Sequence, residues 1–336
     1  MTHTSIEELM NAGILRIAEE PPANPRSISA APFLTMPLIA ADYPAKTPIM
    51  WNAAYREFNM PELNVMAVAN PAHAALILDV FRRDQRYRGG GCGVGFKEAV
   101  LAHLDAVEPP ADAMGAVNIV KKLDGSRLAG WNTDGLGYAR SLEERFARRG
   151  ETLRGKRVLL IGGGGSARAI AIALAEAGAK QSIVNRTESK AEFIASIINK
   201  HADRAPATAG GLWQIPMLLT EVDAVVAAID DEHHRRDEYS PLGRMEAAVE
   251  ANLTEAGANL RLAKPSIIIS DVRLRTHPLP MLRQANALGL ETLDGKPMVA
   301  NQGIEAFWWL YGDALERVGR TKEEVSAIMR QAANAA

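Results

Sequence analysis

The run VLLIGGGGSARAIAIALAEAG at 158–178 restricts what this chain can fold into more than any other stretch. Apolar residues give way to Gly162, Gly163, Gly164 and Gly165, then to Ser166 and an alanine-rich apolar pattern closed by Gly178. That succession reads as strand, tight turn and helix, with Gly178 where a glycine commonly ends a helix. Gly162, Gly164 and Ala167 spell G-x-G-x-x-A. The first glycine permits the turn, and the second lets backbone amides approach a pyrophosphate at the helix N-terminus. The small third residue lets helix and strand pack closely. Glycine clusters also make ordinary turns, so context decides. Here an apolar strand precedes, a long helix follows, and a second strand, QSIVNRT, comes about twenty residues on, as a dinucleotide-binding unit requires.

The end of that second strand selects the dinucleotide. A site for NAD carries Asp or Glu there, to accept hydrogen bonds from the adenosine ribose. This chain has Asn185, Arg186 and Thr187, with Lys190 a turn later. A guanidinium suits a 2′-phosphate, and a carboxylate is missing from that position, so the expected cofactor is NADP. The plain alternative is a solvated, basic helix start.

Alternation continues downstream. ESKAEFIASIINKH reads as a helix, VDAVVAAI and SIIISDV as buried strands, and PLPMLRQANALG as another helix, which is the pattern of a doubly wound sheet. The segment 230–265 exceeds the roughly 12–15 residues of a structureless loop, and GRMEAAVEANLTEAG within it reads as an inserted helix. TKEEVSAIMRQAANAA is a final amphipathic helix. In the first half, LTMPLIA (34–40) and LNVMAVA (63–69) read as strands, and MWNAAYREF and AHAALILDVFRRD as helices. That order favours an open α/β sheet with parallel strands. GGGCGVGFKEAVLAHLDAV reads as a strand or loop opening into a helix. Leu123-Asp124-Gly125 reads as a hairpin turn between GAVNIVKK and RLAGWN, with a helix from Gly135 to Arg148 after it. Ile6, Leu9, Met10, Ile14 and Leu15 recur at helical spacing near the start. With 336 residues, two domains are expected: 1–133, completed by 297–336, and 134–296.

Composition removes several classes of function. Lys and Arg number 38 against 40 Asp and Glu, a net charge of −2, which leaves no electrostatic footprint for nucleic acid or an anionic membrane. An apolar share of 47% excludes disorder over most of the chain. No apolar run approaches the roughly 18 residues of a membrane span, and the Glu-rich opening segment does not read as a secretory signal. The single cysteine, Cys92, excludes an intrachain disulfide and a thiolate metal cluster, and fits a reducing, cytoplasmic setting. Cys92 in GGGCGVGF reads as a small apolar strand residue rather than a nucleophile. His233 and His234 in DEHHRRDE read as a solvated loop, since neighbouring residues do not share a helix face, and no metal site is expected. Trp308, Trp309 and Tyr311 read as core packing for the first domain.

Two further ionisable residues stand out. Taken alone, Lys97 after its glycine-rich turn is a surface lysine, and Asp134 in WNTDGLGY is a helix cap. A dehydrogenase, however, needs a proton donor and acceptor beside the carbinol oxygen, and a lysine oriented by a carboxylate is one physical solution.

Several motifs in order complete the reading. GAVN (115–118), NTDG (132–135), GGGGSARA (162–169), NRTESKA (185–191) and DGKPMVANQGIEAF (294–307) resemble the shikimate dehydrogenase family in order and approximate spacing, over about residues 37–312. The resemblance implies a two-domain α/β protein, an N-terminal open α/β substrate domain plus a Rossmann-type NADP-binding domain. It implies NADP-dependent, reversible reduction of 3-dehydroshikimate to shikimate, or of a related polyhydroxylated cyclic carboxylate such as quinate or an aminated analogue. By the same resemblance Lys97 is the catalytic lysine and Asp134 its partner, which also holds a substrate hydroxyl. Thr47, Asn118 and Gln302 bind substrate, and Gly295 lines the nicotinamide pocket. The chain departs from the family pattern at Ala45, which replaces the first serine of S-x-S-P-x-x-H-N, and at Gly93, Gly95 and Leu274. Ala227-Ala228-Ile229 replaces an Asn-Ala-Thr run. Those departures leave a second expectation, an NADP-binding sensor or partner protein without turnover. A monomer or homodimer is expected.

Overall fold

The computed structural model describes residues 5–18, 28–42, 45–93, 95–200, 205–229 and 237–335. The chain divides into two compact units, Met1–Thr133 with Gln302–Ala336, and Asp134–Asn301. His233 and His234 lie outside the described residues.

The first unit is built on the strands β1 (Leu15–Ile17), β2 (Phe33–Thr35), β3 (Leu38–Ile39), β4 (Glu62–Asn64), β5 (Ala67–Ala69), β6 (Tyr87–Gly91), β7 (Ala106–Val107), β8 (Ile119–Lys122) and β9 (Leu128–Trp131). Among the described residues they form a six-stranded sheet in the order β4-β2-β6-β8-β9-β7 and a three-stranded sheet in the order β1-β5-β3. The larger sheet is mixed rather than wholly parallel. β2 runs parallel to β4 and β6, while β8 is antiparallel to both β6 and β9. The β8–β9 pair is the hairpin expected from Leu123-Asp124-Gly125, and Gly125 takes a left-handed φ of 71° there.

Two expected single strands are each broken in two. Residues 34–40 supply β2 to one sheet and β3 to the other, and residues 63–69 do the same with β4 and β5. Pro37 at the first break has no N–H for a ladder, and its carbonyl accepts from the Ala67 amide at 2.8 Å as the chain changes sheets. The N-terminal helix is also shorter than its apolar spacing indicated. It ends at Asn11, Gly13 turns the chain with φ 69°, and Leu15 pairs with Ala69 in β1–β5. Buried Ile6, Leu9 and Leu15 still reach one core, since a helix and the strand after it can share a face. A helix at Pro109–Met114, with proline in its first turn, was not foreseen.

The second unit holds β10 (Arg157–Ile161), β11 (Lys180–Val184), β12 (Ala207–Gly210), β13 (Ala224–Ala227), β14 (Ile268–Asp271) and β15 (Glu291–Leu293). They run all parallel in the order β12-β11-β10-β13-β14-β15, the doubly wound arrangement. Both faces are covered, which is why β10 and β13 are apolar without alternation. Val158 and Leu160 join a core with the helices Asp134–Ala147, Gly165–Glu176 and Glu188–Asn199; Leu159 and Ile161 join the core on the other face. Inserted helix Val249–Leu260 belongs to that second face, with Asn252 tied to both the N–H and the C=O of Ser240. Gly135 packs against the Ala169 carbonyl, so close that a Cβ would collide.

Candidate active site

The nucleotide side is made largely of backbone. β10 ends at Ile161, whose carbonyl accepts from Ala228 at 2.8 Å, while the Gly162 amide donates to Val184 at 3.0 Å. Gly162 has φ 146° and lies so near the Ala228 carbonyl that a side chain has no room. A Cβ on Gly163 would meet Lys190 Cβ at 2.8 Å and Asn185 Nδ2 at 2.9 Å. Gly164 and Gly165, in contrast, face open space, and with Ser166 they are exposed. Gly164 caps the helix Gly165–Glu176 with no side-chain hydrogen bond, so the first turn keeps its amides available for an anion. Buried Ala167 sits beside the Gly162 turn.

At the end of β11 the Asn185 amide donates to Gly210 at 3.2 Å, and its side chain donates to the Thr187 carbonyl at 3.0 Å. Arg186, Thr187 and Lys190 are exposed around this turn. An uncapped helix N-terminus bordered by bare glycines, with a guanidinium and an ammonium one strand away, fits a dinucleotide carrying a 2′-phosphate.

The other polar cluster is assembled from side chains of the first unit. Asn118 Nδ2 donates to Thr133 Oγ1 at 3.0 Å and to Gln302 Oε1 at 3.3 Å. The Thr133 amide returns to Asn118 Oδ1 at 2.9 Å, and its hydroxyl donates to the Gln302 carbonyl at 3.0 Å. Gln302 is delivered by the long helix Lys296–Glu316, which is held by aromatic packing. Trp51 donates to the Gly303 carbonyl at 3.1 Å, and the rings of Trp51, Tyr55, Phe307 and Tyr311 meet at 5.1–6.4 Å. Trp309 packs on Trp131 at 5.7 Å.

Lys97 sits in the short helix Phe96–Ala99, which starts at Gly95 with φ 86°. Its carbonyl accepts from Val117 at 2.8 Å, so its backbone adjoins Asn118. Buried Cys92 is nearby; burial pushes its thiol up to about 12, with the Lys97 ammonium pulling the other way. A thiol so held is a poor nucleophile. Thr47 is half-buried at the start of the helix Thr47–Glu57, where Lys46 caps without a side-chain bond. Asp134 follows Thr133 directly and opens the helix Asp134–Ala147, itself 9% exposed. Thr133 is a residue that sequence reasoning passed over. It was visible only as part of NTDG, whereas the fold makes it the hub between Asn118 and Gln302.

Gly295 lies against the Val272 carbonyl and lines a cavity of about 290 Å³ at the ends of β14 and β15. Arg145, Arg273 and Arg275 also line it, but each is matched by a carboxylate. Arg273 binds buried Asp271 at 2.8 Å, Arg275 binds Asp237 at 2.6 Å, and Arg145 approaches Glu291 at 3.7 Å. Among the described residues no cluster of three or more His, Cys, Asp or Glu could hold a metal ion, and no helix is long and apolar enough to cross a membrane.

Comparison with known proteins bears on this geometry. The family model for the shikimate dehydrogenase substrate binding domain matches residues 43–120, and the one for shikimate / quinate 5-dehydrogenase matches 144–250. The chain is 32% identical over 287 residues to shikimate dehydrogenase (NADP(+)) of Geobacillus kaustophilus, covering 85% of this chain and 94% of that one. Among solved structures, shikimate 5-dehydrogenase of Listeria monocytogenes in complex with shikimate and NAD is similar in fold. Its TM-score is 0.71 at 24% identity, covering 88% of this chain and 99% of that one. The ligand-free 5-ketofructose reductase of a Gluconobacter strain is 30% identical, with a TM-score of 0.66 over 90% of this chain and 98% of that one.

Proposed function

This chain belongs to the shikimate dehydrogenase family, and from that premise we propose how its residues share the work of an NADP-dependent CH–OH dehydrogenase. The reaction is the reversible reduction of 3-dehydroshikimate to shikimate, or of a closely related cyclic hydroxy acid. The observation that carries this reading is the match over 94% of a shikimate dehydrogenase (NADP(+)), which leaves room for both a substrate and a nucleotide unit.

NADP, when bound, supplies the hydride acceptor or donor. Gly162, Gly163, Gly164, Gly165 and Ser166 would hold the pyrophosphate on backbone amides, and Arg186 with Lys190 the 2′-phosphate, beside Asn185 and Thr187. Gly295 would leave room for the nicotinamide. Lys97 holds the proton of the reacting hydroxyl at Nζ and gives it back in the reverse direction; Asp134 orients the ammonium and a neighbouring hydroxyl. Asn118, Gln302 and Thr47 bind the remaining hydroxyls and the carboxylate end. Residues 1–133 with 297–336 act as the substrate domain and 134–296 as the NADP domain. The enzyme works in the cytoplasm as a monomer or homodimer.

A second reading has a specific observation behind it. The 5-ketofructose reductase shares 30% of its residues with this chain over nearly its full length. The substrate-side cluster of Asn118, Thr133 and Gln302 is wholly neutral, a set that recognises hydroxyls without requiring a charged ligand. A neutral polyhydroxy ketone is the substrate on that reading.

Following the nicotinamide absorbance separates them. Shikimate or quinate with NADP+, and 3-dehydroshikimate or 5-ketofructose with NADPH, are offered in turn, with NAD+ and NADH in parallel. Turnover of a ring acid with NADP+ supports the first reading. Turnover confined to 5-ketofructose supports the second. NADPH binding without turnover of any of the four removes both and leaves a sensor or partner role.

A further inference from the structure

β12 was not anticipated from the sequence, and the turn that follows it carries an unusual side chain. Just beyond its end, Trp213 is 72% exposed, the most exposed large apolar residue among those described. Its placement is built rather than incidental. The indole Nε1 donates to Glu188 Oε1 at 3.3 Å, which fixes the ring's edge and leaves its face open. Gly211 makes the approach feasible. A Cβ there would meet the indole at 2.7 Å and collide with the Glu188 carboxylate.

The ring stands on the cofactor side of the sheet. β12 is the edge strand beside β11, and the Asn185 amide bonds to Gly210, the last residue of β12. Gly163, Asn185, Gly210 and Trp213 thus follow one another across the C-terminal ends of adjacent parallel strands, where doubly wound sheets bind ligands. Glu188 adds a second point. A carboxylate beside Arg186 opposes a 2′-phosphate, and the indole N–H holds it toward the β12 side.

We propose that Trp213 is the stacking surface for the adenine base of NADP, and that by holding Glu188 it also keeps the 2′-phosphate site cationic. The base and the 2′-phosphate sit on neighbouring ribose carbons, so a phosphate held at Arg186 brings the base within reach of the next strand end. An exposed aromatic face costs little conformational entropy to present and accepts any base plane. This assignment rests on the NADP reading above.

The test uses 2′,5′-ADP as probe, since it carries the adenosine end and no nicotinamide. Full-length wild type, Trp213→Ala, Trp213→Phe and Arg186→Ala are titrated by calorimetry and by tryptophan emission. Wild type is expected to bind with partial quenching. Trp213→Ala is expected to bind about tenfold more weakly, and Trp213→Phe within about threefold of wild type, both without the quench. Because Trp213 is exposed, both variants are expected to fold as wild type does. Unchanged affinity in Trp213→Ala with the quench intact overturns the assignment, and if Arg186→Ala still loses binding the NADP reading survives it. Absence of 2′,5′-ADP binding by wild type overturns both.

Discussion

The glycine turn at Gly162–Gly165 and the cluster of Asn118, Thr133 and Gln302 make polar sites by opposite means. The first uses backbone. Its parts lie mainly between Gly162 and Lys190, and side chains are excluded at Gly162 by Ala228 and at Gly163 by Asn185 and Lys190. The second uses side chains drawn from distant parts of the chain, and each member satisfies another: Asn118 serves Thr133 and Gln302, and Thr133 serves both in return. Backbone sites fail when a side chain is added; side-chain networks fail when one is removed. The two regions therefore respond to substitution with different signatures.

The largest effect is expected from Lys97→Ala. On the role proposed for Lys97, losing the proton carrier lowers turnover by about 10²–10⁴. NADPH affinity, measured by fluorescence titration, stays near wild type. A loss of turnover accounted for by weaker NADPH binding would erase the division of labour between the two regions. Gly162→Ala comes next. Its φ of 146° and the Ala228 carbonyl leave no room for a methyl, so both the thermal midpoint and NADPH binding fall. Gly164→Ala, in open space, keeps the midpoint near wild type, and matching losses in the two variants would count against the backbone argument.

Arg186→Ala separates the regions more finely. Loss of a charge-assisted hydrogen bond of about 1.5–3 kcal/mol weakens NADPH, narrows the preference over NADH and leaves the substrate KM unchanged. Asn118→Ala has the complementary pattern. It raises substrate KM and, by leaving the buried Thr133 amide without its acceptor, costs about 1–3 kcal/mol in urea denaturation. The smallest effect concerns pH. Hydrogen bonding to Arg86 holds the Glu7 carboxyl below the ordinary glutamate range. A lowered folded value means its stabilisation is complete above that ordinary range and is lost as pH falls through the folded value. Glu7→Gln is therefore expected to flatten the acid limb of the urea midpoint from the ordinary glutamate range downward. An unchanged slope would remove Glu7 from the acid response.

How much of this was legible follows the same division. β10, its glycine turn and the helix after it were readable because the strand–turn–helix pattern is written in consecutive residues, and the dinucleotide choice needed only Asn185, Arg186, Thr187 and Lys190. β12 was not. Its residues, Ala207-Thr208-Ala209-Gly210, are mostly small, and the strand exists because β11 offers a ladder beside it. Asn118 and Gln302 entered through family resemblance, since no periodicity joins residues so far apart. Thr133 and Trp213 were missed for related reasons. One stood inside a turn motif and the other in no motif at all, until the fold gave each a neighbour. Pro37 stands inside the stretch 34–40 that reads as a single strand, and nothing local tells that the chain changes sheets there.

That change of sheets happens twice, at Pro37 and again between Asn64 and Ala67, and the two crossings run side by side. Thr35 accepts from Val65 at 3.1 Å, and Pro37 from Ala67 at 2.8 Å. Neither sheet of the first unit can then be peeled from the other by opening a single strand, because each seam is covalent on both sides. Amide hydrogen exchange should find β2, β3, β4 and β5 opening together as one cooperative unit, with the short, two-residue β3 protected far beyond what its own length could sustain.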